Sequence, residues 1–405
     1  MESIRLKYIA KIDMGQSPSS SDYTTENDED GIPFLQGTAE FGEKYPTPVV
    51  YTTQANKIAD EGDILFSVRA PVGQININKD KVGIGRGLCA IKANNKTSQD
   101  YLWWVLHASR GQLKLLETGT TYAAVSVEDI SNMIVPLHEK SKQNKIVAYL
   151  DQEVAKIDAL IKKKIRLVEL LEEKKKATIS QAVTKGLNPN VKLKPSGIDW
   201  LGDIPEHWEV VKLKYLTDGL KYGANEAAEE DNPDFPRYIR ITDIDENGNL
   251  KPETFKSIPL EIANDYILED GDILFARSGA TVGKTFRYTS NYGKSAYAGY
   301  LIRMRPNLKI DSKYMYYFTL SNSYWSQIYI DSIQATIQNF SGDKYANMLV
   351  TIPSIDEQLK IAEFLDNHLI QFTFLRDKIN NSIDLLKEKR TAIISAAING
   401  EINLD

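Results

Sequence analysis

The sequence is poor in several things, and each shortage excludes a class of protein. One cysteine, Cys89, among 405 residues means that no disulfide can form within the chain, and nothing asks for an oxidising compartment. Four histidines (His107, His138, His207, His368) lie far apart, and with a single cysteine they offer no metal-ligand spacing. No uncharged apolar run approaches the roughly 18 residues of a membrane span. The start, Met1-Glu2-Ser3-Ile4-Arg5-Leu6-Lys7, is charged and lacks a secretory apolar stretch. The expectation is a soluble, cytoplasmic protein with no membrane contact, metal or cofactor. Excess positive charge is missing too. With 49 basic against 55 acidic residues the net charge is −6, which argues against uniform coating of nucleic acid.

What is present is unevenly spread. Residues 140–186 carry a net +6, residues 1–139 and 187–356 a net −5 each, and residues 357–405 a net −2. Basic loops on acidic domains stay open to a polyanion, and a more basic partner can share the binding. The length and a 42% hydrophobic content fit two or more globular domains.

The strongest signal is an internal duplication at about 210 residues, far longer than a solenoid repeat. Ile4-Arg5-Leu6-Lys7-Tyr8-Ile9 matches Val211-Lys212-Leu213-Lys214-Tyr215-Leu216. Gly62-Asp63-Ile64-Leu65-Phe66 recurs as Gly271-Asp272-Ile273-Leu274-Phe275, and Asn132-Met133-Ile134-Val135 as Asn347-Met348-Leu349-Val350. Gln143, Ile146, Leu150 and Asp151 return as Gln358, Ile361, Leu365 and Asp366. The chain is two copies of one module.

Each copy opens with short β-like runs (Asp63–Phe66, Asp272–Ala276, Leu301–Met304) among Gly, Pro and Asn turns. Helical stretches, Tyr101–Leu116 and Ser312–Ile328, interrupt them, so the module type is α/β or α+β. Each copy then closes with a long helix. Positions 147, 150, 154, 157, 161, 164, 168, 171, 175, 178 and 182 alternate spacings of three and four and are mostly apolar, as are the positions 215 residues later. That is a heptad seam. About 40 residues at 1.5 Å each make a rod of about 60 Å. Lys175 and Arg390 interrupt the seam at the same repeat position, either snorkelling from its edge or setting register with a partner. The pattern alone allows parallel or antiparallel pairing of the rods.

Together these features resemble the specificity (S) subunit of type I restriction–modification systems, over essentially the whole chain. The resemblance rests on several segments: Trp200-Leu201-Gly202-Asp203-Ile204-Pro205-Glu206-His207-Trp208 before the second module, and the duplicated Gly-Asp-Ile-Leu-Phe runs. It rests also on Gly119-Thr120-Thr121, on Ala335-Thr336-Ile337-Gln338, and on Glu357-Gln358-Leu359-Lys360-Ile361-Ala362 at the start of the second rod. The first module starts almost at once at Ile4 and has no Ile-Pro-x-x-Trp lead-in. The resemblance implies an α/β (α+β) fold of two tandem target-recognition domains. Two long helices, paired as an antiparallel coiled coil, separate them in a pseudo-twofold body. It implies domains at 1–139, 140–186 (first spacer helix), 187–207 (linker), 208–354 and 355–405 (second spacer helix and tail). It implies a non-enzymatic subunit that reads double-stranded DNA at a bipartite asymmetric target. Two methyltransferase (M) subunits and the restriction (R) subunits would be its partners, with adenine the methyl acceptor.

Catalytic motifs were weighed against this. Gly279-Ala280-Thr281-Val282-Gly283-Lys284-Thr285 looks like a phosphate loop, but three residues separate its glycines where four are needed. Asn232-Pro233-Asp234-Phe235 lacks the second proline of an adenine methyltransferase motif and reads as a turn. An enzyme with degenerate motifs and a coiled-coil adaptor without DNA are the competing readings. Base edges are read by Arg, Lys, Asn and Gln, and phosphates also by Ser and Thr. The turns after the duplicated strands therefore supply the candidates for DNA binding: Ser67, Arg69, Gln74 and Arg86 in the first copy, and Arg277, Ser278, Thr281, Lys284 and Tyr297 in the second.

Overall fold

The duplicated Gly-Asp-Ile-Leu-Phe segments become the strands Ile64–Ser67 and Ile273–Ala276, buried along their full length. The computed structural model describes residues 2–25, 31–109, 124–227, 231–245, 248–333 and 339–404. It divides into two units, Met1–Ile165 with Asn380–Asp405, and Arg166–Ile379.

In the first unit Ile64–Ser67 lies between Leu88–Ala93 and Ile75–Ile77, with Ala10–Met14 beyond Leu88–Ala93, all antiparallel. In the second, Thr217–Tyr222, Leu301–Pro306, Ile273–Ala276 and Thr285–Arg287 follow the same order and sense. The two-residue period of a strand explains the full burial. Ile64 and Phe66 face the core that holds Tyr101 and Trp104, while Leu65 faces Leu35, Val82 and Ile84. Ile273 and Phe275 likewise face one core, and Leu274 and Ala276 another. Antiparallel sheets with helices on one face make each unit α+β.

The two long helices run over Lys140–Lys185 and Ile355–Ile398. All eleven seam positions of each are buried or half-buried, including Lys164 and Lys175. Within the first unit, Ile146, Leu150 and Val154 share a core with Ile394, Ala397 and Ile398. There the Ile398 carbonyl lies 2.9 Å from His138 Nε2, and Arg390 grips Asp158 at 2.8 and 3.3 Å. Within the second, Ile179, Ala182 and Val183 share a core with Ile361, Ala362 and Leu365. The Val183 carbonyl accepts from the hydroxyls of Tyr314 (3.1 Å) and Thr351 (2.5 Å). The two seam cations differ: Arg390 reaches the other helix, whereas Lys175 pairs with Glu172 of its own at 3.1 Å.

The residues repeated at the helix starts have matching work. Gln143 is fully buried; its amide oxygen accepts from Ser98 N–H (3.1 Å) and the Thr97 hydroxyl (3.2 Å). Its amide nitrogen donates to the carbonyls of Lys96 (3.1 Å) and His138 (2.8 Å). Gln358, equally buried, accepts from Asp311 N–H (2.7 Å) and donates to the carbonyls of Lys309 and Pro353. Asp151 accepts the Trp104 indole N–H at 3.0 Å, and Asp366 accepts the Tyr317 hydroxyl.

Two helical stretches depart from the sequence pattern. The first is helical over Gln99–Ala108, and its remainder, residues 110–116, lies outside the described residues. The second breaks into Ser312–Thr319 and Asn322–Ile333. Ser321 causes the break, since its hydroxyl donates to the Phe318 carbonyl and accepts the Tyr324 amide as a new N-cap. Among the described residues no helix is long and apolar enough to cross a membrane.

Replacing Ile398 with alanine is expected to destabilise the first unit by about 2–5 kcal/mol. Hydrogen exchange should then rise in Tyr101–Leu106 and not in Ile273–Ala276. Gln143→Leu strands several buried polar groups and should cost about 1–3 kcal/mol or more in the same unit.

Candidate nucleic-acid interface

Ser67 ends the central strand of the first unit and latches the turn that follows. Its hydroxyl donates to the Pro71 carbonyl at 2.6 Å and accepts the Gln74 amide at 2.9 Å, and the residue is 1% exposed. Ser67 thus shapes the turn and is out of reach of a ligand, a correction to its place among the candidates. Arg69 stands exposed just beyond it. Arg86, also exposed, sits on the neighbouring turn, its amide bonded to the Ser17 hydroxyl at 3.1 Å. The fold brings Arg69 and Arg86 to one open cleft of about 520 Å³, with Lys57 and Gln16 beside them. Gln74 is exposed but lines a different depression, near Glu43, Asn76 and Lys162.

Backbone hydrogen bonds set the register between the copies. Val68 N–H bonds the Gly87 carbonyl and Arg277 N–H bonds the Tyr300 carbonyl, both at 3.0 Å. Ser67 N–H reaches the Gln74 carbonyl as Ala276 N–H reaches that of Lys284. Val68 therefore stands where Arg277 stands, Arg69 where Ser278 stands, and Gln74 where Lys284 stands.

In the second unit Arg277 is half-buried, and its guanidinium carbon lies 5.0 Å from the centre of the Tyr222 ring. Ser278 is half-buried and bridges to Asn339 through the backbone. The Thr281 hydroxyl makes only a long contact, 3.4 Å, to the Ser278 carbonyl. The Lys284 ammonium turns to the Ile244 carbonyl at 3.1 Å. Tyr297 is the second correction. It is fully buried, its hydroxyl donates to the Lys221 carbonyl, and burial pushes its pKa up to about 12. It occupies the place of Ile84, since Gln16 N–H bonds Ile84 and Ala224 N–H bonds Tyr297. That place belongs to the core.

Gln16, Lys57 and Tyr222 escaped the sequence reading. One signal for Tyr222 was present. Gly15 and Gly223 follow the duplicated Leu-Lys-Tyr segments at nearly equal distance, and a bulge between Thr217 and Leu220 absorbs the one-residue difference. Both glycines are forced by close backbone approach: a Cβ on Gly15 would lie 2.2 Å from the Gly85 oxygen, and one on Gly223 2.3 Å from that of Tyr297. Met14 and Tyr222 are the residues just before them.

The phosphate-loop resemblance ends in the structure. A single turn, Gly279–Thr281, leads into the strand Thr285–Arg287, so no helix N-terminus follows to hold a phosphate. Asn232–Phe235 is a turn, with the Asn232 side chain accepting the Asp234 amide at 3.0 Å. Burial pushes the Cys89 thiol up to about 12, which keeps it protonated. Gly119-Thr120-Thr121 and Ala335-Thr336-Ile337-Gln338 lie outside the described residues.

A family model described as the type I restriction modification DNA specificity domain matches residues 1–170 and again 205–385. The putative type I restriction enzyme MjaX specificity subunit of Methanocaldococcus jannaschii is 41% identical over 179 residues, 44% of this chain and 40% of the relative, so that match spans less than half of the relative's length. The MjaVIII specificity subunit of the same organism is 25% identical over the whole chain and 93% of its own. Among solved structures, one described by complex assembly and conformational transition of the type I R-M system superposes at a TM-score of 0.77. It is 18% identical and covers 99% of this chain and 98% of its own. The HsdS subunit from Thermoanaerobacter tengcongensis gives 0.53, with 18% identity and coverages of 99% and 97%.

Ser67→Ala is expected to cost about 1–3 kcal/mol, because the Gln74 amide loses its buried acceptor. Arg69→Ala should stay within about 0.5 kcal/mol of the parent. Thermal denaturation of the two variants separates the support from the surface it presents.

Proposed function

The chain belongs to the type I restriction–modification DNA specificity family, and from that we propose that it reads a bipartite, asymmetric DNA target without doing chemistry itself. One observation carries the reading furthest. Arg69, Arg86 and Arg277 have no carboxylate partner among the described residues, although both modules are net acidic. Arginines without a carboxylate on these turns have donors available to the phosphates and base edges of DNA.

In this reading Arg69 and Arg86, with Gln16 and Lys57, contact the first half-site. Arg277, with Ser278 and Thr281 nearby, contacts the second. Gln74 and Lys284 lie at the margins. The recognition domains are residues 1–139 and 208–354, joined through 187–207, and the helices of 140–186 and 355–405 pair as an antiparallel coiled coil in a pseudo-twofold body. The start of one helix shares a core with the end of the other in each unit, which supports that pairing. Two methyltransferase subunits and the restriction subunits assemble on this frame, the former methylating adenine in each half-site.

The test is to co-express the full chain with its cognate methyltransferase subunit and map methylated sites genome-wide. A split site with unlike halves is expected; absence of sequence-dependent methylation would refute the reading. Arg69→Ala should weaken specific binding by about 1–3 kcal/mol and relax one half-site only.

A second test uses the duplication. Ile179, Ala182 and Val183 stand 215 residues before Ile394, Ala397 and Ile398 and have nearly the same shapes. In a fragment of residues 1–185, the helix end of one copy can fill the core place that Ile394–Ile398 fills in the first unit. A symmetric dimer follows, reading the first half-site twice in inverted orientation. With the methyltransferase subunit it should methylate a palindrome. A folded, strictly monomeric fragment would contradict this.

A further inference from the structure

Resting on the DNA-reading proposal, we propose that Arg277 reads a guanine in the second half-site and that Tyr222 is the positioning residue that holds it for that contact.

Several neighbouring arginines are paired, although the Nε atoms of Arg237 and Arg303 are, like that of Arg277, buried without an acceptor among the described residues. Arg305 is paired with Asp272 and Glu269, Arg240 with Asp243, and the Arg287 Nε donates to the Ser312 hydroxyl at 2.8 Å. The Arg277 Nε is buried and has no hydrogen-bond acceptor among the described residues, nor does a carboxylate meet the rest of its guanidinium. With Nε enclosed and the residue half-exposed, the donors that Arg277 can offer are those of its two terminal nitrogens.

Its position is set before any ligand arrives. Its amide donates to the Tyr300 carbonyl at 3.0 Å, and its carbonyl accepts the Phe340 amide at 2.7 Å. Its guanidinium lies over the Tyr222 ring at 5.0 Å, and that ring is pinned by its own hydroxyl, which accepts the Gly342 amide at 2.9 Å. A stacked guanidinium is a planar fork with little freedom left to lose, suited to an acceptor pair in one plane. On DNA the base edge with two adjacent acceptors is guanine, through O6 and N7.

Phosphate is the other bidentate acceptor, and the duplication argues against it. The backbone hydrogen bonds at this position are the same in the two copies, but Val68 is a core residue, 2% exposed, whereas Arg277 is half-buried over Tyr222. A phosphate is present whatever the sequence, so a phosphate contact would serve both copies equally. A cation that only one copy places here is a contact specific to one half-site.

The full-length chain in complex with its methyltransferase subunits is offered a pool of randomised DNA duplexes, and the bound fraction is sequenced. The parent complex should require guanine at one position of the second half-site. Arg277→Ala should relax that position alone, lowering the preference roughly ten- to hundredfold. Arg277→Lys, which keeps the charge but not the fork, should lose the same preference and stands in if the alanine variant fails to fold. Tyr222→Leu should lose it too, while Tyr222→Phe, which keeps the ring face but not the hydroxyl that pins it, should lose less of it. Uniform weakening across all duplexes would identify a phosphate contact and overturn the inference, as would an unchanged preference or a relaxed position that is not guanine. A Tyr222→Leu complex that keeps the full preference would remove Tyr222 from its positioning role. A parent complex that selects no sequence at all would instead overturn the DNA-reading proposal beneath it.

Discussion

Each unit's core is closed by the end of a helix whose start belongs to the other unit. Ile394, Ala397 and Ile398 complete the core around Tyr101 and Ile146, and Ile179, Ala182 and Val183 complete the one around Tyr314 and Ile361. The helix ends are held by polar bonds as well as burial, through His138 at Ile398 and through Tyr314 and Thr351 at Val183. Because a lone amphipathic helix of this length cannot bury its own seam, neither recognition domain is independent of the two long helices. In the proposed reading of a split target, this coupling ties recognition to the frame on which the proposed partners assemble.

The duplication separates what must stay from what can vary. Gln143 and Gln358 both sit fully buried with their amides satisfied by loop backbone, and Asp151 and Asp366 both accept an aromatic donor. Changing either glutamine would leave several buried groups unpaired at once, so drift there is costly. The turns leaving Ile64–Ser67 and Ile273–Ala276 carry different residues in the two copies, Val68 being buried, Arg69 exposed, and Arg277 and Ser278 half-buried. One copy carries Val68-Arg69 there and the other Arg277-Ser278, on the same backbone hydrogen bonds. A rigid strand end that tolerates side-chain exchange is a physical basis for new specificity without a new fold.

The net acidity of both modules takes on a meaning in this light. In the proposed reading, long-range attraction to DNA is weak for such a body, so the arginines without a carboxylate among the described residues act at short range. On that reading affinity leans on the proposed partner subunits, whereas sequence choice rests on the turns.

How much of this was legible beforehand follows from the range of the interactions involved. The duplication, the heptad seam and the Gly-Asp-Ile-Leu-Phe strands were readable because each is a local period imposed by helix or strand geometry. The break at Ser321 was not, since one hydroxyl capping a new helix overrides an otherwise helical pattern. Ser67 and Tyr297 looked like ligand contacts because their residue types suit DNA, but burial depends on neighbours distant in sequence. Gln16 and Lys57 beside Arg86, and Tyr222 beneath Arg277, are joined across tens of residues by strand pairing. By itself the sequence determined the two modules, their long helices and the turns that bear arginine. Only the tertiary structure decided which of those turn residues face water and which aromatic ring holds the arginine still, because exposure and stacking arise from packing between segments that no local pattern records.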